Sequence, residues 1–132
     1  MNLDIELSFV VALETLPFIQ AVVRPGTDSD TMPENASVII IDIPDMDRPT
    51  IALASGAAMF RCESPALNIP VADHRENVRI LTGFLGDQSA VKTAFSSATW
   101  QLVGIWAGPH SSRQEDNRWV SEVQCRIGVL RI

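Results

Sequence analysis

The first segment of the chain, residues 2–16, repeats hydrophobic side chains at the spacing of an α-helix. The apolar stripe consists of Leu3, Leu7, Val10 and Val11, with Phe9, Leu13 and Leu16 beside it. Asp4, Glu6 and Glu14 are expected on the polar face, and the first two lie where negative charge suits the helix dipole. Pro17 ends the predicted helix because proline has no backbone N–H to donate.

A second amphipathic helix is predicted from residue 73 onward. Asp73 is the expected N-cap, and Glu76 follows at the spacing of a capping box. The apolar stripe of this helix is Val78, Leu81 and Leu85. Gly86 ends it, and residues 88–97 predict a shorter helical piece. The inward side of that piece is Val91, Ala94 and Phe95.

Extended segments separate and follow these helices. The predicted strands are residues 19–23, 37–43, 50–54, 58–63, 99–107 and 119–131. Residues 58–63 alternate cleanly, with Phe60 on one face and Met59, Arg61 and Glu63 on the other. Residues 24–35 and 108–118 have the polar, Gly- and Pro-containing composition of long loops.

This order of elements predicts a single α+β domain over residues 1–132. We expect an antiparallel or mixed sheet with two to three helices on one face and a long C-terminal β-hairpin. The second helix should bury its stripe against the strands, because an amphipathic helix must cover its apolar side. The expected strand partners are Phe60, Val123, Cys125 and Ile127.

Composition narrows the class of protein. Hydrophobic residues make up 46% and charged residues 20% of the 132 residues, as in globular domains. No apolar run reaches the roughly 18 residues that span a bilayer, and the acidic first segment is unlike a signal peptide. The net charge of −6 argues against a surface that neutralises nucleic-acid phosphates. A cytoplasmic location and no membrane partner are therefore expected.

The residue types needed for catalysis or metal binding are sparse. Cys62 and Cys125 lie in apolar runs and are expected to be buried thiols. The two histidines, His74 and His110, have no recognisable nucleophile motif near them. The acidic run at Asp42, Asp45 and Asp47 lacks the glycine and distal glutamate of a calcium loop. The sequence predicts no enzyme, no cofactor and no metal site; an enzyme would instead place a histidine beside a carboxylate in a cleft.

The two long predicted loops and the polar face of residues 58–63 are candidates for contacts with other subunits. Solvated loops without a partner are the alternative interpretation. The candidate interface residues are Arg24, Asp28, Asp30, Met59, Arg61, Glu63, His110, Arg113, Glu115, Asp116 and Arg118.

Four segments carry a resemblance to a known family: residues 9–17 (FVVALETLP), 59–63 (MFRCE), 73–81 (DHRENVRIL) and 118–131 (RWVSEVQCRIGVLR). In the order of the elements to which these segments belong, the chain resembles the tail-terminator, or tail-completion, proteins of long-tailed bacteriophages. Residues 43–56 are more elaborate than in the plainest members.

The resemblance implies a hexameric homo-oligomeric ring without enzymatic activity or cofactor. The ring would cap the tail tube, contact tail tube protein and the head-tail connector protein, and let DNA pass through its lumen without specific binding. The implied location is the virion, with assembly in the host cytoplasm. The alternative is a small cytoplasmic ligand-binding or adaptor module, which would stay a monomer or dimer around a closed apolar pocket.

Overall fold

A computed structural model describes residues 2–17, 19–26, 35–44, 46–48 and 52–132. The candidate residues Asp28 and Asp30 lie outside these ranges. The elements are α1 (Asn2–Glu14), β1 (Ala21–Pro25), β2 (Ser37–Asp42), β3 (Leu53–Pro65), α2 (Val71–Leu85), α3 (Gln88–Ala94), β4 (Trp100–Glu115) and β5 (Arg118–Arg131).

The five strands form one mixed sheet in the order β1-β2-β3-β5-β4. β1 runs parallel to β2, whereas the other neighbouring strands are antiparallel. All three helices contribute to one buried cluster on a single face of the sheet. The predicted α+β class, with helices on one face and a C-terminal hairpin, is confirmed.

The predicted core contacts of α2 are also confirmed. Its stripe belongs to the same buried cluster as the expected strand residues. Those members are Val78, Leu81, Leu85, Phe60, Val123, Cys125 and Ile127. The side chains of Cys62 and Cys125 are buried, and burial raises the pKa of the Cys62 thiol to about 12 and that of Cys125 to about 11.

The predicted apolar stripe of α1 is wrong in three of its four members, whereas Val10 and the neighbouring Phe9 and Leu13 are buried as expected. Leu3, Leu7 and Val11 are 46%, 44% and 51% exposed. The buried side of the helix is formed instead by Ile5, Phe9, Val10, Ala12 and Leu13. The helix is apolar on most of its circumference, so its spacing allows either side to face the sheet. The Phe9 ring decides the orientation, because it packs edge-on against other aromatic rings at centroid distances of 5.3 and 5.1 Å.

Glu6 is a second correction on α1, since it lies in the interior rather than on a polar face. It is 2% exposed. Its carboxylate accepts hydrogen bonds from the backbone N–H of Gly26 at 3.1 Å and of Ile43 at 3.2 Å. A buried carboxylate is tolerated when donors replace its water. Glu6 thereby joins α1 to the segments that follow β1 and β2.

The start of α2 also differs from the prediction. The helix begins at Val71 with Pro70 at the N-cap, and no side chain caps it. Pro70 already has the backbone angle that a helix start needs, so the helix begins before Asp73. Asp73 lies in the first turn, and Glu76 pairs with Arg79. The predicted end at Gly86 is confirmed.

Residues 108–118 do not form the predicted loop. β4 continues to Glu115 and β5 starts at Arg118, so Asp116 and Asn117 alone make the turn. Both have positive φ angles, 49° and 62°, as in a two-residue hairpin turn. β4 is an edge strand, and a bulge between Ala107 and His110 places Pro109 where no ladder donor is required. The polar composition reflects solvent on both sides of this strand.

Arg24 is likewise on a strand, β1, rather than in a loop. The predicted strands 50–54 and 58–63 correspond to the single long strand β3, as far as residues 52–65 are described. No helix in the described part of the chain is long and apolar enough to span a bilayer.

Candidate interaction surface

The strand register brings most of the candidate interface residues onto one face of the sheet. Arg24 pairs with Ile40, Ile40 with Arg61, and Arg61 with Glu122. Directly paired residues share a face, and residues two apart on a strand share it as well. Seven candidates therefore lie on the face opposite the helices, which we call the open face. They are Arg24, Met59, Arg61, Glu63, Arg113, Glu115 and Arg118.

Two of the described candidates are not on the open face. His110 pairs with Val123, a core residue, and therefore points to the helix side. Asp116 lies in the hairpin turn. The structure thus separates the described candidates into the open face, the helix side and the turn.

An ion-pair chain crosses the open face from β3 to β4. The Glu122 carboxylate contacts Arg61 at 3.1 Å and accepts a hydrogen bond from Arg113 at 2.9 Å. Arg113 also donates to Glu115 at 2.7 Å. The Arg113 hydrogen bond is the main reason that the pKa of Glu122 is lowered. Partly exposed pairs of this kind contribute little stability, so their main effect is to fix side-chain orientation.

A second ion pair lies near the hairpin turn and is more deeply buried. Glu63 is 9% exposed, and its carboxylate lies 3.5 Å from Nε of Arg118. Nε and one terminal nitrogen of Arg118 are buried without a hydrogen-bond partner among the described residues.

A chain of serine hydroxyl groups, buried except at Ser112, surrounds His74 on the helix side. The hydroxyl of Ser64 lies 2.7 Å from Nδ1 of His74, and that of Ser121 lies 2.9 Å from its Nε2. Ser37 extends the chain beyond Ser64, and Ser112 extends it beyond Ser121, each at 2.7 Å. This chain links β2, β3, α2, β5 and β4. It gives both ring nitrogens of the buried His74 imidazole a hydrogen-bond partner, and these partners are uncharged hydroxyl groups.

This arrangement differs from what the enzyme alternative requires. Both ring nitrogens of His74 face serine hydroxyls instead of a carboxylate, and Ser64 is fully buried. No group of three or more potential metal-ligating residues occurs in the part of the chain that is described. The network therefore has the geometry of a structural crosslink between α2 and the sheet.

This network is not predicted by the sequence pattern. Its serines are 10 to 47 residues away from His74 along the chain. The one available signal was that Ser64 and Ser121 occupy alternating strand positions on the core side, where polar residues need partners.

The His74 network gives a pH prediction. Burial, and then the charge of Arg75, lower the pKa of His74 below its ordinary value of 6.5. The unfolded chain thus binds a proton more readily, so the free energy of unfolding should fall as the pH drops below about 6.5. Denaturant unfolding at several pH values should show a shallower fall for His74→Gln. An identical fall would contradict the assignment, and His110→Gln, which removes an exposed imidazole, is the control.

A groove lies on the helix side between α2 and β4, and we call it the α2–β4 groove. It comprises two adjoining hollows of about 200 and 380 Å³, which share Arg75 and Ser112. Arg79 and His110 line the larger hollow, and Trp119 lines the smaller. Neither hollow is lined by an acidic side chain. Of the two α2 arginines in the groove, Arg79 is paired with Glu76, whereas Arg75 forms no ion pair among the described residues.

The fold is similar to that of a known particle component. A chain in the solved structure described as the virion of a native gene transfer agent particle has a TM-score of 0.60. The match covers 95% of this chain and 95% of that chain at 13% identity. A second solved structure, which has no functional name, matches with a TM-score of 0.51 and 12% identity over 99% and 91% of the two chains.

No protein-family model matches the sequence, and no curated protein matches it. At identities of 12–13% the two structural matches show a shared fold. The class defined by the fold is therefore an α+β domain with helices packed on one face of a five-stranded mixed sheet.

Proposed function

We propose that the chain is a structural protein of a phage-like virion. The observation that carries this proposal is the fold match to a virion chain, which extends over nearly the whole length of both proteins. Since the match covers 95% of each chain, neither fold carries a large insertion or an extra domain. Two such folds are compatible with similar roles in an assembly. The hydrogen bonds of both His74 ring nitrogens to buried serine hydroxyls support a structural role for this histidine.

Within the virion, we propose a tail terminator that forms a six-fold ring between the tail tube and the head-side connector. Three features support this role: the order of elements, the open sheet face with its charged residues, and the exposed long edge of β4. A net charge of −6 suits a ring whose lumen DNA crosses without binding. Copies of this chain, tail tube protein and connector protein are the proposed partners.

The ligand-binding alternative is not favoured by the pockets. The hollows along the described surface have volumes of about 190–380 Å³, are open to solvent and mix polar with apolar walls. Small-molecule sites are usually more enclosed and mostly apolar.

The proposal is tested by removing the chain from cells that produce the particles. We expect complete heads and separate tails, because a missing terminator leaves the two without a joint. Supplying the wild-type chain in the same cells should restore joined particles and is the control. Normal yields of joined particles without the chain would contradict the proposal.

A further inference from the structure

The charges of the chain are divided unequally between its two halves. Residues 1–60 carry nine Asp and Glu against two Arg, whereas residues 61–132 carry seven Asp and Glu against eight Lys and Arg. The first half supplies α1, β1 and β2, and the second half supplies α2, β5 and β4. Of these elements, α1 packs mainly on β1 and β2, whereas α2 packs on β3, β5 and β4.

Helix α1 presents an exposed apolar strip. Leu3, Leu7 and Val11 are about half exposed on the outer surface of α1. Asp4 and Glu14 are exposed on the same side of the helix, as their spacing requires. Neither carboxylate forms an ion pair in the described part of the chain. We call these five residues the α1 outer face.

The α2–β4 groove has the complementary chemistry. Arg75 is exposed and forms no ion pair among the described residues, and Arg79 and His110 lie beside it. Val71 and Val78 supply apolar walls. An amphipathic helix that enters a groove places its apolar residues inside and its charges at the rim. The α1 outer face combines apolar and acidic groups in the way that this groove requires.

We propose that the α1 outer face of one copy docks in the α2–β4 groove of a second copy. The two surfaces are different and lie on different elements of one subunit, so a copy that uses one of them in a contact keeps the other free. Contacts of this head-to-tail kind continue from copy to copy, and they close into a ring when the rotation between neighbouring copies divides a full turn. The inference rests on the proposed function, since it names the partner of each ring subunit and the polarity of the contact.

Charge reversal tests this contact on the purified chain. Arg75→Glu reverses the groove, and Asp4→Lys combined with Glu14→Lys reverses the helix face. All three residues are exposed, so the melting temperatures should match that of the wild type, which must be checked first. The wild-type chain is expected to self-associate in sedimentation experiments at low salt and less so at high salt. Each reversed variant alone should associate about tenfold more weakly or worse.

The decisive measurement is an equimolar mixture of the two reversed variants. In the mixture the unaltered groove of one variant can bind the unaltered helix of the other, and the two reversed surfaces attract each other. Association should therefore return to near the wild-type level. Lys92→Glu makes the same charge change as Arg75→Glu on α3, outside the groove, and should behave as the wild type.

A monomeric wild-type chain at low salt, wild-type association by either reversed variant, or a mixture that stays monomeric would each overturn the contact. These results are distinguishable from failure of the proposed function. Particles that need the chain for head joining, while charge reversal has no effect, would keep the virion role and reject this contact. Charge-dependent association of a chain whose removal leaves particles intact would reject the virion role.

Discussion

Replacing Leu81 with alanine is expected to lower the free energy of unfolding by about 2–5 kcal/mol, as deletions of buried leucine side chains do. Leu81 is 1% exposed and belongs to the cluster that joins α2 to the sheet. The substitution leaves a cavity that close-packed neighbours fill only in part. Urea unfolding of the purified variant measures this loss directly.

Leu67→Ala is the matched control for Leu81→Ala. Leu67 is 86% exposed, so the same deletion of side-chain atoms should change stability by less than about 0.5 kcal/mol. Equal losses for the two variants would mean that α2 does not pack on the sheet through Leu81.

Glu6→Ala is expected to destabilise the protein strongly, although it shortens a charged side chain on a helix. Its carboxylate accepts from the backbone N–H groups of Gly26 and Ile43. Each buried donor that loses its acceptor costs about 1–3 kcal/mol. Thermal and urea unfolding should therefore show a loss close to that of a core deletion.

Two variants define how Glu6 acts. Glu14→Ala removes an exposed carboxylate from the same helix and should have little effect. Glu6→Gln keeps an amide oxygen that can accept one of the two hydrogen bonds, so its loss should fall between the others. If Glu6→Ala lowers the free energy of unfolding no more than Glu14→Ala does, the hydrogen bonds from Gly26 and Ile43 to Glu6 do not stabilise the fold.

The buried side of a helix could be predicted from the sequence where only one side of that helix is apolar. The stripe of α2 alternates with charged residues, so Val78, Leu81 and Leu85 could be assigned to the core in advance. The stripe of α1 could not, because Ile5, Phe9 and Leu13 form an equally good apolar side. Tertiary contacts of Phe9 and the buried Glu6 select that side, and neither is visible in the spacing.

The C-terminal hairpin shows a different limit. Residues 110–115 are polar on both sides of the strand, a pattern that is typical of loops. They pair with β5 because the turn at Asp116 and Asn117 adopts the two positive φ angles that a tight hairpin needs. Asp and Asn tolerate these angles, but an Asp-Asn pair is a weaker turn signal than Asn-Gly.

The sequence indicated which residues are candidates for the surface, but not which of them lie together in the fold. Charged residues of β3, β4 and β5 come together on the open face only through strand register, which depends on the bulges of β4. The α2–β4 groove was not predicted, because it requires the orientation of α2 relative to the sheet. His110 was selected from its place in a polar segment, and its partners in the groove became apparent only from the fold.

Electron cryomicroscopy of purified particles would show whether copies of this chain form a closed ring in the virion. The mass of the purified assembly would give the number of copies in the ring. We predict a ring at the head end of the tail, with six-fold symmetry and a mass six times that of the 14.4 kDa chain. The α1 outer face of each copy should meet the α2–β4 groove of the next. A two-fold dimer at every concentration, with no copies of the chain in the particles, would contradict the account.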